Sequence, residues 1–202
     1  MSHEEILKIA HKLKVINIAG RTRVGKTCLA FTLLEEIKKI KPVYIFRHPA
    51  PEMTAKRGYK NIWEFGEIEH IKDCALYLDE PQISIKRQNK RANDSLSALM
   101  TLCGQRNITL IFSSADTHFF TRGLEYFIDA FCVLDINAEL VKRGSLISKI
   151  IKHNALITTS EWRLPIGKFL FYSREFYKLN GLKEFKKPKW FNERFSKPYK
   201  ED

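Results

Sequence analysis

An eight-residue segment at positions 20–27, GRTRVGKT, constrains the fold of this chain more than any other part of its sequence. It matches the pattern G-x-x-x-x-G-K-[ST], in which glycines let the backbone curl and a Lys-Thr pair begins a helix. A short apolar run over residues 15–19 precedes the segment, and apolar side chains recur at helical spacing over residues 26–39 after it. This order predicts an anion-binding loop between a buried strand and a helix.

Further short apolar runs rich in β-forming residues predict the other strands of a sheet. They are VYIF at 43–46, CALYLD at 74–79, TLIFSS at 109–114 and AFCVLDI at 130–136. Helices are predicted at 3–13, at about 93–105 and at 118–127, and the last two lie in the long connections that parallel strands require. We therefore predict an α/β fold with a mostly parallel central sheet and helices on both faces.

The chain beyond residue 136 departs from this alternation. A helix is predicted around 138–152, and FLFYS at 169–173 followed by EFYKL at 175–179 predicts an antiparallel hairpin at the sheet edge. Residues 183–202 contain two prolines and no long apolar run, which is typical of an arm that packs locally or is disordered alone. The predicted organisation is one domain over 1–182, including the N-terminal helix, and a basic, aromatic C-terminal arm over 183–202.

The glycine-rich loop and the start of the following helix carry the expected nucleotide-binding residues. Inward-pointing backbone N–H groups and the helix N-terminus together form a site for phosphate. Lys26 is expected to bridge the β- and γ-phosphates of ATP, and the Thr27 hydroxyl to ligate Mg²⁺. The residues assigned to nucleotide binding are Gly20, Arg21, Thr22, Arg23, Val24, Gly25, Lys26, Thr27 and Cys28. Arg21 and Arg23 stand at positions that need no charge, so they either contact phosphate or a neighbouring subunit, or only add positive potential around the site.

Two adjacent carboxylates, Asp79 and Glu80, follow the apolar run CALYL. At the tip of a neighbouring strand, Asp79 is expected to hold a metal-bound water, and Glu80 to orient and deprotonate a water in line with the γ-phosphate. This pair separates hydrolases from many P-loop kinases, which exclude water from the transferred group. The alternative is a strand that simply leaves the core through two acidic residues.

Three further residues are candidates for stabilising the γ-phosphate. The run TLIFSS ends in Ser113 and Ser114, one of which is expected to touch the γ-phosphate or the attacking water; we prefer Ser114, and the alternative is a polar strand end without function. Arg106 precedes that strand at the opposite edge of the sheet, from which it would reach a neighbouring subunit's nucleotide as an arginine finger in trans. Its rivals are Arg87, Arg91 and Arg122.

With these residues identified, the chain resembles the FtsK-HerA branch of P-loop ATPases. The resemblance is to the compact DNA-packaging ATPases of archaeal and other membrane-containing viruses and to filamentous-phage assembly proteins. It rests on GRTRVGKT and YLDEPQ, and beyond them on LMTLCGQRNITLIFSSAD, TRGLEYFIDAFCVLDI and LPIGKFLFYS followed by KKPKWF. It implies a RecA-like sheet and a homo-oligomeric ring, pentameric or hexameric, with ATP sites between neighbours and double-stranded DNA through its centre.

The resemblance assigns the same chemistry to this chain as its residues do. It implies that Lys26 and Thr27 bind phosphate and Mg²⁺, that Asp79 is the Mg²⁺ partner, and that Glu80 is the catalytic base. The chain departs from the family at residues 113–116, where SSAD replaces the usual Thr-Gln or Ser-Gln pair. Either Ser114 senses the γ-phosphate through a water, or γ-phosphate sensing is weakened.

The net charge of +12, from 35 Lys and Arg against 23 Asp and Glu, favours a polyanionic partner. The C-terminal arm carries seven of these Lys and Arg residues against four Asp and Glu. Its aromatic side chains either stack on bases or dock the arm onto protein; we favour docking. No apolar run approaches the ~18 residues of a membrane span, and the acidic start MSHEEILK is unlike a signal peptide. The four cysteines lack metal or disulfide spacing and are expected to be reduced and buried. We expect a soluble intracellular protein, in the host cytoplasm or associated with a virion.

The leading hypothesis is an ATP-hydrolysing motor that translocates double-stranded DNA into a viral capsid, with a capsid or portal-vertex protein as a further partner. One alternative is a P-loop ATPase that assembles a virion or pilus by acting on protein. A small-molecule kinase is the other, although the sequence shows neither a LID-like arginine insertion nor an acceptor-binding region. DNA binding separates the first hypothesis from the second.

Overall fold

The computed structural model describes residues 3–21, 23–79, 91–114, 124–135, 164 and 167–192. The strands within these residues are β1 Val15–Ala19, β2 Val43–Phe46, β3 Lys60–Ile62, β4 Ala75–Leu78, β5 Thr109–Ser114, β6 Ala130–Val133, β7 Lys168–Ser173 and β8 Gly181–Glu184. The α-helices are α1 His3–Ile9, α2 Lys26–Lys38, α3 Pro51–Ala55, α4 Phe65–Ile68 and α5 Arg91–Gln105, and short 3₁₀ helices occupy Leu124–Phe127 and Tyr177–Leu179.

The strands form one sheet in the order β3-β2-β4-β5-β1-β6-β7-β8. Neighbours from β3 to β6 run parallel, and β7 and β8 extend the edge beyond β6 in antiparallel fashion. The predicted α/β fold with a mostly parallel sheet is thereby confirmed. Because β1 lies between β5 and β6, the carboxyl ends of several strands surround the glycine-rich loop that follows β1.

The two faces of the sheet bury separate apolar clusters, because successive side chains of a strand point to opposite faces. Ile16 and Ile18 of β1 pack in the cluster that includes the apolar side chains of α1 and α2. Val15 and Ala19 belong to the other cluster, with Leu99 of α5. Helices therefore cover both faces, as predicted.

Phe31, in the middle of α2, lies at the centre of the aromatic packing on the first face. It is fully buried, and its ring contacts those of Tyr59, Tyr77 and Trp190 at centroid separations of 5.4, 5.9 and 5.5 Å. Burying one such side chain stabilises a fold by about 1.5–3 kcal/mol, and each aromatic pair adds about 0.5–1.5 kcal/mol. This packing fixes α2 against the sheet, and with it the loop at the N-terminus of the helix.

The C-terminal hairpin is present, but its second strand differs from the prediction. The structure forms it from β8 at 181–184, whereas EFYKL at 175–179 lies in the turn. Side chains hold this turn closed: the Ser173 amide donates to Asn180 Oδ1 at 2.7 Å, and the Phe176 amide donates to Ser173 Oγ at 3.3 Å. These local bonds explain why an apolar stretch turns instead of continuing as a strand.

The division between domain and arm at 182 and 183 falls inside β8, and the chain that follows packs on α2. Phe191 is 8% exposed, and the Thr32 hydroxyl contacts the Lys186 carbonyl at 3.4 Å. Phe185 packs edge-on against Phe169 with ring centroids 6.0 Å apart. Residues 185–192 are therefore docked on their own subunit, the alternative that the sequence favoured, and residues 193–202 lie outside the described part.

Element boundaries differ from the prediction mainly where elements are short. α1 ends at residue 9 and not 13, the predicted helix at 118–127 is described only as the 3₁₀ turn at 124–127, and the predicted helix at 138–152 lies outside the described residues. β3, α3 and α4 were not predicted. In the described part of the chain, no helix combines the length and the apolar character needed to cross a membrane. All four cysteines are buried and unbonded, as expected.

Candidate nucleotide-binding site

The glycine-rich loop follows β1 and closes tightly before α2 begins at Lys26. The Gly20 amide donates to the Ser114 carbonyl at 3.1 Å, which ties the start of the loop to β5. A Cβ atom at Gly20 would lie 2.8 Å from Val24 Cγ2, so any larger residue would push the loop open. Gly25, the residue before α2, has a φ of 99°, a conformation that glycine adopts without strain. The loop therefore has the tight curl of a phosphate cradle.

Lys26 lies inside this loop and is only 6% exposed. Its Nζ donates to the carbonyls of Gly20 at 2.9 Å and Arg21 at 3.0 Å. A buried ammonium group at a helix N-terminus attracts an anion, because both the charge and the helix dipole are positive there. Cys28, also in the first turn of α2, is buried, and burial raises the pKa of its thiol to about 11, so the thiol is not a nucleophile at neutral pH.

Thr27, Asp79 and Ser113 meet beside the loop, and they fit a divalent cation. Asp79 follows β4, which pairs with β5, so its carboxylate lies next to Ser113. The Thr27 hydroxyl contacts Asp79 Oδ2 at 3.3 Å, and the Ser113 hydroxyl donates to Asp79 Oδ1. Hard oxygen donors of this kind suit Mg²⁺, which takes one or two protein oxygens and completes its shell with waters and substrate phosphates. Among the described residues, no group of three or more His, Cys, Asp or Glu side chains is placed to hold a metal ion.

Tyr77 lies beneath this group, two residues before Asp79 and on the same face of β4. It is fully buried, and its phenol hydroxyl faces the side chains of Asp79, Ser113 and Thr27. Burial, and then the negative charge of Asp79, raise the pKa of this phenol well above its usual value. Tyr77 was not among the predicted site residues, and the signal for it in the sequence is the one polar group in the otherwise aliphatic run ALYL.

Asp135, just after β6, lies beside the loop and is a second residue that the motifs did not identify. Its carboxylate binds the Arg21 guanidinium through both Nε and Nη2, the latter at 3.2 Å from Oδ1. Asp135 is 3% exposed, and its hydrogen bond raises the pKa of Arg21 above the usual value. The signal in the sequence is a single acidic residue after the apolar run AFCVL, which resembles the position of Asp79 after CALYL.

The structure places the two candidate sensor serines on opposite faces of β5. Ser113 contacts Asp79, whereas Ser114 Oγ accepts a hydrogen bond from Asn17 Nδ2 at 3.1 Å on the face covered by α5. Our preference for Ser114 is therefore not supported by its position, because the side-chain alternation of the strand turns Ser114 away from Asp79. A sensing role for either serine stays a prediction.

Of the remaining candidate site residues, the structure describes the side chain of Arg106. Arg106 lies at the amino-terminal edge of the sheet, as expected, and its guanidinium donates to the Glu69 carbonyl of its own subunit. Glu80 and Thr22 lie outside the described residues, as do Arg87 and Arg122 and the side chain of Arg91. The structure thus brings together Lys26, Thr27 and Asp79, and the role of each remains a prediction.

Comparison with solved structures finds this fold in two viral genome-packaging enzymes and in a conjugation coupling protein. The DNA-packaging ATPase of Sulfolobus turreted icosahedral virus superposes with a TM-score of 0.60 at 16% identity, covering 86% of this chain and 97% of that one. The genome-packaging NTPase of Sulfolobus turreted icosahedral virus 2, in complex with ATPγS, gives 0.61 at 16% identity, over 86% and 96%. The pCW3 conjugation coupling protein TcpA gives 0.59 at 12% identity, over 91% and 62%.

These similarities confirm the fold that the resemblance implied. No protein-family model matches the sequence, and no curated protein matches it. The solved structures share this fold at sequence identities of only 12–16%.

Proposed function

We propose that this chain is a Mg²⁺-dependent ATPase motor that translocates double-stranded DNA, with packaging of a viral genome into a capsid as its specific role. The observation that carries the proposal is the gathering of Lys26, Thr27 and Asp79 at the carboxyl edge of the sheet, around a loop that only glycine can close. The printed names of the structural neighbours, two viral genome-packaging enzymes and a conjugation coupling protein, support the part that concerns DNA.

The residues of the site divide the work of hydrolysis among them. Loop N–H groups and Lys26 bind the β- and γ-phosphates of ATP, while Thr27 Oγ1 and the Asp79 carboxylate would hold Mg²⁺, whose positive charge would stabilise the negative charge on the phosphate oxygens. Glu80, the next residue, accepts a proton from a water. The water oxygen forms a bond to the γ-phosphorus, the bond from that phosphorus to the bridging oxygen breaks, and ADP leaves with the electron pair.

A kinase is disfavoured by the same residues. Asp79 and Glu80 are consecutive carboxylates in the sequence, and Glu80 is left to act on water if Asp79 holds the metal. A carboxylate next to the γ-phosphate activates water, which a kinase must exclude. The site chemistry therefore supports transfer of the phosphoryl group to water.

A ring arrangement would bring an arginine of a neighbouring subunit to the site. Within the described part of the chain, the loop arginine Arg21 is held by Asp135, and Arg106 lies at the sheet edge opposite the site. Catalysis by P-loop ATPases commonly uses an arginine to stabilise transition-state charge, often from a neighbouring subunit. Arg106 remains our candidate, and a homo-oligomeric ring of five or six subunits would bring it to a neighbour's nucleotide.

We propose that the docked C-terminal segment holds DNA through its lysines. Because Phe185, Trp190 and Phe191 pack against the subunit, these rings do not stack on bases. The lysines between them are exposed, at Lys186, Lys187 and Lys189. We therefore expect the segment to contact phosphates alone, without preference for sequence.

DNA binding tests the proposed function through its dependence on salt. We expect duplex DNA to bind at ~100 mM salt, with log Kd rising linearly with log salt concentration. Replacing Lys186, Lys187 and Lys189 together with glutamine is expected to weaken binding and to lower the slope by about one for each lost contact. The measurement is fluorescence anisotropy of a labelled duplex across a salt series.

The matched control replaces three exposed lysines from other parts of the chain, Lys8, Lys12 and Lys72, and is expected to keep the slope of the wild type. Equal losses in both triple variants would mean that net charge, not the docked segment, holds DNA. Absence of binding at ~100 mM salt would favour the alternative function, an ATPase that assembles a virion or pilus by acting on protein.

A further inference from the structure

We propose that Asp135 is a positioning residue of the phosphate-binding loop, which holds the Arg21 guanidinium and thereby fixes the carbonyl groups that orient Lys26. The inference rests on the proposed function, because it concerns how the same loop binds the triphosphate. It assigns a role to an arginine at a loop position that needs no charge, and to an aspartate that takes part in no step of hydrolysis.

Arg21 and Asp135 form a bidentate contact in which the aspartate is buried and the arginine is exposed. Both carboxylate oxygens of Asp135 accept hydrogen bonds from Arg21, and the side chains are 4% and 51% exposed, respectively. A buried carboxylate requires a partner, whereas an exposed guanidinium is stable in water without one. The requirement for pairing therefore lies with Asp135, which draws the loop toward β6.

Backbone contacts join the end of β6 to the start of the loop at the same place. The Leu134 amide donates to the Ala19 carbonyl at 2.9 Å, and a Cβ atom at Gly20 would lie 3.5 Å from the Asp135 amide nitrogen. The first residues of the loop thus lie directly against the residue that holds Arg21.

The main chain of Arg21 transmits this constraint to the phosphate-binding lysine. The Arg21 side chain is held by Asp135, and its carbonyl accepts a hydrogen bond from Lys26 Nζ at 3.0 Å. The Gly20 carbonyl holds the same ammonium at 2.9 Å. Without the contact to Asp135, the Arg21 carbonyl would be less restrained. The position of the Lys26 ammonium group would then become less defined.

The alternative is that Arg21 itself binds phosphate, and the two roles predict opposite effects of neutralising Asp135. If Asp135 positions the loop, Asp135→Asn weakens nucleotide binding. If Arg21 is a phosphate ligand that Asp135 restrains, Asp135→Asn releases the guanidinium and strengthens binding. The sign of one change in affinity therefore separates the two roles.

The experiment measures the Kd of Mg²⁺-ATPγS for the full-length chain and three variants, Asp135→Asn, Arg21→Gln and the double variant. We expect each single substitution to raise Kd roughly tenfold, the loss of one charge-assisted hydrogen bond, and the double variant to match either single. For Asp135→Asn, whose side chain takes part in no step of hydrolysis, the change is expected in KM, with kcat at saturating ATP lowered by no more than about threefold.

Controls keep the result specific. Glu64→Gln removes the acidic partner of Arg47 in an exposed pair, 3.7 Å apart, and is expected to leave Kd unchanged. Arg21→Lys is expected to restore part of the affinity, since lysine keeps the charge but not the bidentate geometry. Thermal unfolding without nucleotide checks that each variant is folded.

Three outcomes would overturn the proposal: an unchanged Kd in Asp135→Asn, tighter binding in that variant, or a double variant whose loss equals the product of the single losses. A wild-type chain that fails to bind ATPγS would instead contradict the proposed function. The two failures are therefore distinguishable within one set of titrations.

Discussion

Replacing Lys26 with alanine is expected to lower kcat/KM for ATP hydrolysis by about 10²–10³-fold or more, and to weaken nucleotide binding so far that saturation is not reached. The ammonium group of Lys26 is buried in the loop, where its charge-assisted hydrogen bonds to phosphate oxygens face little competition from water. Alanine removes that charge and leaves the carbonyls of Gly20 and Arg21 without their donor. Phosphate release and ATPγS binding measure the two effects.

Lys39→Ala is the matched control for this substitution. Lys39 lies directly after the same helix and pairs with Glu36 at 2.7 Å, but its side chain is 66% exposed. Loss of an exposed pair has little effect, so this variant is expected to hydrolyse ATP at the wild-type rate. A folded Lys26→Ala variant that keeps about a tenth or more of the wild-type activity would contradict the assignment of Lys26 to phosphate binding.

The second large effect is expected from Glu80→Gln, which should lower kcat by about 10²–10⁴-fold while leaving the Kd of ATP nearly unchanged. Glutamine keeps the size of the side chain but does not accept the proton of the attacking water. Binding survives because Lys26, Thr27 and the loop N–H groups hold the nucleotide. Single-turnover hydrolysis and ATP binding, measured on the same preparation, separate the two quantities.

Glu36→Gln, within α2 and away from the loop, serves as the control and should leave both quantities unchanged. Intact steady-state hydrolysis in Glu80→Gln would show that another group activates the water. A parallel loss of binding and turnover would mean that Glu80 holds the nucleotide or its metal, and not the water.

Local pattern was sufficient to predict most of the fold. The loop at 20–27, the strand before it and the helix after it depend on neighbouring residues, and the structure places β1 and α2 where the sequence does. β3 was not predicted because three residues, KNI, form a strand only through pairing with β2. EFYKL was predicted as a strand from its apolar content alone. The hydrogen bonds of Ser173 and Asn180 that turn the chain cannot be seen in that pattern.

Candidate site residues could be named from the sequence where a single motif contains them. They could not be named where they depend on the order of the strands in the sheet. Lys26 and Thr27 are fixed by the loop pattern, and Asp79 by the end of an apolar strand. The choice between Ser113 and Ser114 depends on which face each presents beside Asp79, and the sequence alone does not show this. Asp135 requires knowing that β6 lies next to β1, a pairing between distant parts of the chain.

The measurement that tests the proposed DNA motor most directly is the rate of ATP hydrolysis by the full-length chain with and without linear duplex DNA, at ~100 mM salt and with the solution mass of the same sample. We expect DNA to raise kcat several-fold, high salt to remove the stimulation, and the stimulated species to have the mass of a ring. Hydrolysis that is fully active and indifferent to saturating DNA would contradict a DNA motor.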